Sequence, residues 1–177
     1  MSKPKPSYET VLDQLQLLRA LHEFTPIVIG TPPLGIETLS SDIDVACYSS
    51  DFEVFTRVVV GEFKDRDEFQ IRMIDSRGEP ALLASFVTYG WELELFCQKI
   101  PLAHQWGVRH FYIERRLLSL EPRLRAIVTD LKRTGVKTEP AFAQVLALKG
   151  DPYEALLSLE FMSDLELRAL LLQAVSH

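Results

Sequence analysis

The chain has 177 residues, of which 47% are hydrophobic, and carries a formal net charge of −6. This length and composition favour one compact domain with a sizeable core over two large domains. The negative charge argues against tight, nonspecific binding to duplex DNA, because such binding depends on many basic contacts to phosphate. The charge is also uneven, since residues 1–100 carry −7 and residues 101–177 carry +1. This division fits a cation site in the first part, and solvated surface charge explains it nearly as well.

Neither a membrane helix nor a secretion signal is expected. The apolar runs are interrupted by charges and fall short of the roughly 20 residues that cross a bilayer, and the start MSKPKPSYE lacks the apolar region of a signal peptide. We therefore expect a cytoplasmic protein without membrane partners. Cys47 and Cys97 lie alone in strand-like apolar runs, which is typical of buried thiols rather than of a disulfide or a zinc site.

The first part of the chain alternates helix and strand signals. Residues 1–6 are predicted to form a mobile tail, and Ser7 is expected to cap the first helix. The apolar stripe of that helix is Tyr8, Val11, Leu12, Leu15 and Leu18. Short apolar strands are predicted at residues 26–29 and 43–48, where β-branched residues are frequent.

A second helix and three further strands follow. Ser50 and Glu53 have the spacing of a capping box, which predicts a helix from there to about residue 64. Residues 68–75 alternate charged and apolar side chains, as a half-exposed strand does. The runs 81–88 and 91–98 are separated by two residues, Tyr89 and Gly90, a spacing typical of a β-hairpin.

The pattern becomes helical from about Ala103 to the end. Helix start signals recur at Thr138, Asp151 and Ser163. The predicted fold class is therefore α+β: a small mixed sheet of about five strands with flanking helices in residues 1–100, and a helical region in residues 101–177 packed on that core.

The segment GTPPLGIETLSSDID, from Gly30 to Asp44, combines features of a phosphate loop and a metal site. Asp42 and Asp44 lie two residues apart at the start of a predicted strand, so both point to one face, about 7 Å apart along the backbone. Carboxylates so placed can share divalent cations. Gly30 follows an apolar strand and has no side chain to obstruct a ligand, and amide groups exposed at such a turn suit a phosphate.

These residues resemble the signature of the DNA polymerase beta superfamily of nucleotidyltransferases. That signature is a strand ending in Gly-Ser, a second glycine a few residues on, and Ser-Asp-x-Asp leading into the next strand. The matching positions are Gly30, Thr31, Gly35, Ser41, Asp42 and Asp44. The resemblance implies transfer of a nucleoside monophosphate from a nucleoside triphosphate to an acceptor hydroxyl, with Mg²⁺ or Mn²⁺ as cofactor. It also implies that Asp42 and Asp44 are catalytic metal ligands and that Gly30, Thr31 and Ser41 bind the nucleotide.

The same resemblance implies a third acidic metal ligand on a later strand. Glu92 and Glu94 share one face of the run WELELF. Glu94 is preferred because it lies deeper in the strand, before Leu95 and Phe96, and Glu92 is the alternative. In such sites this carboxylate can also receive the proton of the acceptor.

Three loop residues depart from the superfamily pattern. Pro32 and Pro33 have no backbone N–H, so the loop lacks two donors that a phosphate could use. Leu34 stands where many small members of the superfamily carry arginine. These changes favour, as an alternative to the enzyme, a degenerate nucleotide-binding or regulatory (antitoxin-like) protein that works with a protein partner.

Basic residues from the end of the last strand onward complete the candidate site. Lys137 is assigned to the nucleotide, and Lys99, Arg109 and Lys132 are further residues that can reach a phosphate. His110 shares an apolar helical stripe, which is typical of a packed histidine. The runs LKRTGVKTEPAFA and GDPYEALL are similar to a bacterial family of nucleotidyltransferase-like domains of unknown function. The resemblance leaves the acceptor open among protein, RNA and a small molecule.

Overall fold

A mixed five-stranded sheet is the centre of the fold. The computed structural model describes residues 5–175. The strands are β1 (Ile27–Ile29), β2 (Ile43–Tyr48), β3 (Asp67–Ser76), β4 (Glu79–Thr88) and β5 (Trp91–Gln98). They lie in the order β1-β2-β5-β4-β3, in which β2 and β5 are parallel and the other neighbours are antiparallel. The predicted α+β class is confirmed.

The chain divides into two compact units. The first contains the residues up to Pro32 together with Ser41–Val108, and the second contains Pro33–Ser40 and the residues from Arg109 on. The sheet and all its strands therefore belong to the first unit. None of the helices within residues 5–175 is long and apolar enough to cross a membrane.

One face of the sheet carries the core of the first unit. The helices α1 (Tyr8–Leu15), α2 (Leu17–Ala20) and α3 (Phe52–Phe63) contribute buried side chains to it. Alternate residues of β2 and β5 face the same core, among them Ile43 and Leu95. Cys47 and Cys97 are register partners there and are buried free thiols, as the sequence predicts, and burial raises the pKa of both. The other residues of β2 and β5 face the opposite side.

Two details of the first helices differ from the prediction. Ser7 caps α1 by accepting from the Thr10 amide, as expected, but Gln16 adopts a left-handed conformation with φ +48° that ends the helix. This break shifts the helical phase, so Leu17 is buried and Leu18 is 43% exposed, and the assignment of Leu18 to the apolar stripe was wrong. The cap of α3 is Asp51, which accepts from the Glu53 amide, rather than Ser50.

The second unit is helical. Its helices are α4 (Trp106–Leu120), which begins in the first unit, α5 (Leu124–Arg133), α6 (Thr138–Val145), α7 (Pro152–Ser158) and α8 (Asp164–Ala174). Asp151 caps α7, and Ser163 forms a capping box with Glu166 at α8, both as predicted. At α6 the cap position is Lys137 rather than Thr138.

Polar side chains connect the elements of the second unit. Arg125 donates to the carbonyl oxygens of Leu34 and Leu118, which holds the short segment Pro33–Ser40 against the helices. Arg109 forms an ion pair with Glu160 at 2.7 Å. These contacts explain how residues far apart in sequence form one unit.

Candidate metal centre

Three carboxylates gather on the face of the sheet opposite the first unit's core. Asp44 on β2 and Glu94 on β5 are register partners on neighbouring parallel strands, so their side chains lie side by side. Asp42 directly precedes β2 and is two residues from Asp44, on the same face. One oxygen from each carboxylate lies within 4.8 Å of the others, and all three residues are half-buried. Oxygen donors at this spacing are the ligands that Mg²⁺ prefers.

The register of the sheet separates the two candidate third acids. Glu94 pairs with Asp44 across the parallel strands. Glu92 is exposed and pairs with Val87 on β4. The acidic cluster found among the described residues contains Glu94 and not Glu92, because only Glu94 lies beside Asp44 at the start of β2.

Gly30 lies directly against the Asp44 carboxylate. It follows β1, whose last residue Ile29 pairs with Asp44, and it adopts φ +77°, a left-handed conformation that favours glycine. A Cβ atom at this position would overlap Oδ2 of Asp44 and lie 3.2 Å from its Cγ. The absence of a side chain at Gly30 therefore keeps the Asp44 carboxylate in its place in the cluster.

Thr31 and Ser41 join the two ends of the loop between β1 and β2. The buried Thr31 hydroxyl donates to the Ser41 hydroxyl at 2.9 Å. This hydrogen bond fixes the residue after Gly30 to the residue before Asp42, so it fixes the position of the first carboxylate relative to the glycine turn. Thr31 and Ser41 thus have a visible positioning role, and their assignment to the nucleotide remains a prediction.

The loop prolines fit a short helical turn. Pro32–Leu34 form a 3-10 turn, and proline suits such a position because its fixed φ is helical and the first N–H groups of a helix have no partner within it. Local structure therefore accounts for Pro32 and Pro33 without reference to a ligand.

Lys5 is a neighbour of the site that the sequence did not indicate. Of the predicted mobile tail, residues 1–4 lie outside the described residues, but Lys5 and Pro6 are held in place, so the prediction was wrong for these two. The Lys5 ammonium lies 3.4 Å from the centroid of the Trp91 ring and donates to the Ser41 carbonyl at 3.2 Å. Trp91 in turn donates from its indole nitrogen to the Pro6 carbonyl at 2.9 Å.

Lys5 also interacts electrostatically with Asp42, one of the three clustered carboxylates. Burial lowers the pKa of Lys5, and the Asp42 carboxylate opposes that shift. A positive charge therefore lies near the first carboxylate. Nothing in the local sequence pattern predicts it, because the contact joins the N-terminal segment to the β4–β5 hairpin, more than 80 residues away.

The other basic candidates lie elsewhere or are already engaged. Lys137 is exposed at the start of α6 in the second unit, so its assignment to the nucleotide stays a prediction. Lys99 lies 5.0 Å from the Phe52 ring centroid, and Arg109 is paired with Glu160. His110 is buried and contacts the Tyr153 carbonyl through Nε2 at 3.0 Å, which confirms the prediction of a packed histidine.

Comparison with known proteins supports the fold and defines the family. A sequence family described as a domain of unknown function, DUF4269, matches residues 10–159. No curated protein matches the sequence at a significant level.

Solved structures share the fold at low sequence identity. The Cid1 poly(U) polymerase bound to MgGTP is 13% identical with a TM-score of 0.54, covering 85% of this chain and 47% of that one. A second Cid1 structure, described by its RNA terminal uridylyl transferase activity, has a TM-score of 0.53 at 13% identity, covering 84% and 45%. The GLD-2/RNP-8 complex has a TM-score of 0.51 at 16% identity, covering 78% and 54%.

These neighbours confirm the nucleotidyltransferase-like fold that the polymerase beta resemblance implies. At such low identity the likeness concerns the fold alone. The chain spans about half the length of the structures it matches.

Proposed function

The chain belongs to the DUF4269 family of unknown function, and from its nucleotidyltransferase-like fold and its three converging carboxylates we propose that it is a metal-dependent nucleotidyltransferase. It would transfer a nucleoside monophosphate from a nucleoside triphosphate to an acceptor hydroxyl and release pyrophosphate. The observation that carries the proposal is the meeting of Asp42, Asp44 and Glu94 within 4.8 Å beside the Gly30 turn.

The donor set fits a divalent cation. All three ligands are carboxylates, which suit Mg²⁺ or Mn²⁺ rather than zinc or copper, and the missing side chain of Gly30 leaves room for the Asp44 carboxylate. A bound cation would neutralise charge on the phosphate oxygens and stabilise the negative charge that develops on the leaving group. Asp42, Asp44 and Glu94 would hold it.

The remaining roles belong to side chains and backbone of the first unit. Gly30 allows a phosphate to approach the backbone, and the Thr31–Ser41 hydrogen bond fixes that turn relative to Asp42. As the acceptor oxygen bonds to the α-phosphorus and the bond to pyrophosphate breaks, Glu94 would receive the acceptor proton. We assign Glu94 to that role because it is the acid of the cluster that lies on β5, away from the phosphate turn.

The acceptor is proposed from the neighbours' chemistry. Cid1 is described as a poly(U) polymerase and an RNA terminal uridylyl transferase, so an RNA 3′ hydroxyl is the first acceptor to test, followed by protein and small-molecule hydroxyls. GLD-2 was solved as a complex with RNP-8, and a protein partner is proposed here on the same ground.

The test pairs metal binding with label transfer. Titration with Mn²⁺ should show binding that is lost in Asp42→Asn, Asp44→Asn and Glu94→Gln, and Mg²⁺ with α-labelled triphosphates should give labelled RNA and pyrophosphate. Glu92→Gln is the matched control, because it removes an exposed acid of the same strand outside the cluster. Equal loss of metal in the Glu92 and Glu94 variants, or no metal binding at all, would overturn the assignment.

A degenerate regulatory protein on the same fold is the second candidate. Pro32 and Pro33 motivate it, because they remove two amide donors from the loop that follows Gly30. Nucleotide binding without pyrophosphate release, together with copurification of a protein partner, favours this candidate over the enzyme.

A further inference from the structure

A pocket opens on the same face of the sheet as the three carboxylates. It has a volume of about 130 Å³, and its walls include Gln98, Phe96, Arg77, His104 and Trp106. Phe96 and Gln98 follow Glu94 on the same face of β5, and a strand rises about 3.3 Å per residue, so they lie about 7 and about 13 Å beyond it. We call this cavity the Gln98 pocket; all its walls belong to the first unit.

Gln98 is the most buried polar residue in the wall of the pocket. The residue is only 3% exposed. The backbone carbonyl of Gln98 accepts from the Ser49 backbone amide at 3.1 Å. No other group within residues 5–175 forms a hydrogen bond with the side-chain amide of Gln98. The side-chain amide of Gln98 is not among the fully enclosed polar atoms that lack a partner within residues 5–175, so it still reaches solvent and is available to a ligand. A ligand that offers both an acceptor and a donor would satisfy it.

Arg77 supplies a fixed cation at the exposed end. Its guanidinium carbon lies 3.4 Å from the Trp106 ring centroid. Stacking uses the face of the guanidinium and leaves the N–H groups at its edge available. No acidic side chain within residues 5–175 forms an ion pair with Arg77, although Glu79 also lines the pocket.

Arg77 lies in the tight turn between β3 and β4. Arg77 and Gly78 connect β3 to β4, and both have positive φ, +59° and +83°. A two-residue turn of this kind favours Asn or Gly at its first position. The Arg77 side chain extends from this turn to the Trp106 ring.

The size and walls of the pocket indicate a single planar ring. An engineered cavity of about 150 Å³ binds benzene, so a pocket of about 130 Å³ suits one six-membered ring better than a fused pair. Phe96 and Trp106 provide aromatic walls, Gln98 provides a donor and an acceptor, and Arg77 can meet an attached phosphate. We propose that the Gln98 pocket binds a pyrimidine base, either of the nucleoside triphosphate or of a nucleic-acid acceptor. The choice of a nucleobase over another planar ring rests on the proposed function.

The test uses the two tryptophans as reporters, without metal. In EDTA, titration with uridine or cytidine should shift the indole resonance of Trp106 in an ¹H-¹⁵N spectrum and leave that of Trp91 unchanged. Uridine monophosphate should bind more tightly than uridine because of Arg77, and adenosine at least about tenfold more weakly than uridine. A Trp106 resonance that does not move with millimolar pyrimidine, or adenosine binding as tight as that of uridine, would overturn the proposal.

Two matched variants distinguish the effect of losing the Gln98 amide from a general effect on folding. Gln98→Met keeps the shape of the side chain and removes its hydrogen bonds, and should weaken uridine binding about tenfold. Gln70→Met makes the same change at an exposed position on β3 outside the pocket and should bind uridine normally. Unchanged uridine binding in Gln98→Met would refute the assignment.

Two further measurements distinguish the sources of the base and the two proposals. If MgUTP displaces a bound short oligouridylate, the pocket binds the base of the triphosphate. If MgUTP and the oligouridylate bind at the same time, the pocket binds a base of the nucleic-acid acceptor. Label transfer without pyrimidine binding would overturn the pocket and leave the transferase standing. Pyrimidine binding without metal binding would support the pocket and count against the transferase.

Discussion

The strongest prediction concerns Gly30. In Gly30→Ala the new Cβ overlaps Oδ2 of Asp44 and lies 3.2 Å from its Cγ, so the carboxylate must leave its present position in the cluster. Mutation of residues that orient a metal ligand from outside the coordination sphere reduces metal affinity about 10- to 100-fold, and we expect a loss in this range. The alanine must also adopt φ +77°, which destabilises the fold by about 1 to 2 kcal/mol.

A second glycine separates these two effects. Gly135 also has a positive φ, +95°, but nothing lies within 4 Å of a Cβ built there. Gly135→Ala should therefore lower the melting temperature by a similar amount, about 2 to 4 °C per kcal/mol for a chain of this size, and bind Mn²⁺ like the wild type. Calorimetric titration with Mn²⁺ and thermal unfolding measure both quantities. Wild-type metal affinity in Gly30→Ala would show that the glycine does not position Asp44.

Three further predictions test the surroundings of the site and the second unit. Thr31→Val loses the hydrogen bond to Ser41 and should destabilise the protein by about 1 kcal/mol in urea unfolding, whereas Thr31→Ser should not. Lys5→Met keeps the packing on Trp91 but removes a positive charge near Asp42, so Mn²⁺ affinity should rise, by up to about fivefold for 1 kcal/mol, and weaker binding would contradict this. Burial, assisted by Glu139, raises the pKa of Glu114 well above 4.5, so the folded protein holds this proton more tightly than the unfolded chain and stability falls as the pH rises above 4.5. Glu114→Gln should flatten that decline in melting temperature as the pH rises above 4.5, and an unchanged slope would contradict it.

Local patterns predicted most of the sheet. The bounds of β2 and β5 agree with those expected, because both strands are short, apolar on the core face and ended by turn residues. The prediction failed at helix ends, where neighbouring residues could equally well end or cap the helix. Gln16 ends α1 through a left-handed conformation, and Asp51 rather than Ser50 caps α3. In both cases neighbouring residues have similar propensities, and tertiary packing decides between them.

In the candidate site, too, local relations could be predicted and long-range contacts could not. Asp42 and Asp44 could be found because their relation is local, two residues apart on one strand. The sequence favoured Glu94 but left Glu92 as an alternative, because both occupy the same face of the strand. Only the register that pairs Ile43 with Leu93 places Glu94 beside Asp44. Lys5 was missed because its contacts with Trp91 and Ser41 depend entirely on the folded arrangement.

The proline turn leads to a specific expectation about nucleotide binding. A phosphate loop that binds through amide groups holds nucleotides even without metal, because the donors belong to the protein. Here Pro32 and Pro33 have no N–H to offer, and the Thr31 hydroxyl is committed to Ser41. The triphosphate must therefore depend mainly on a cation held by Asp42, Asp44 and Glu94. We expect UTP in EDTA to bind no more tightly than uridine monophosphate, and Mg²⁺ to increase the affinity for UTP alone. Tight metal-free binding of UTP would show instead that the loop recognises phosphate by itself, and would place the nucleotide's main anchor away from the carboxylates.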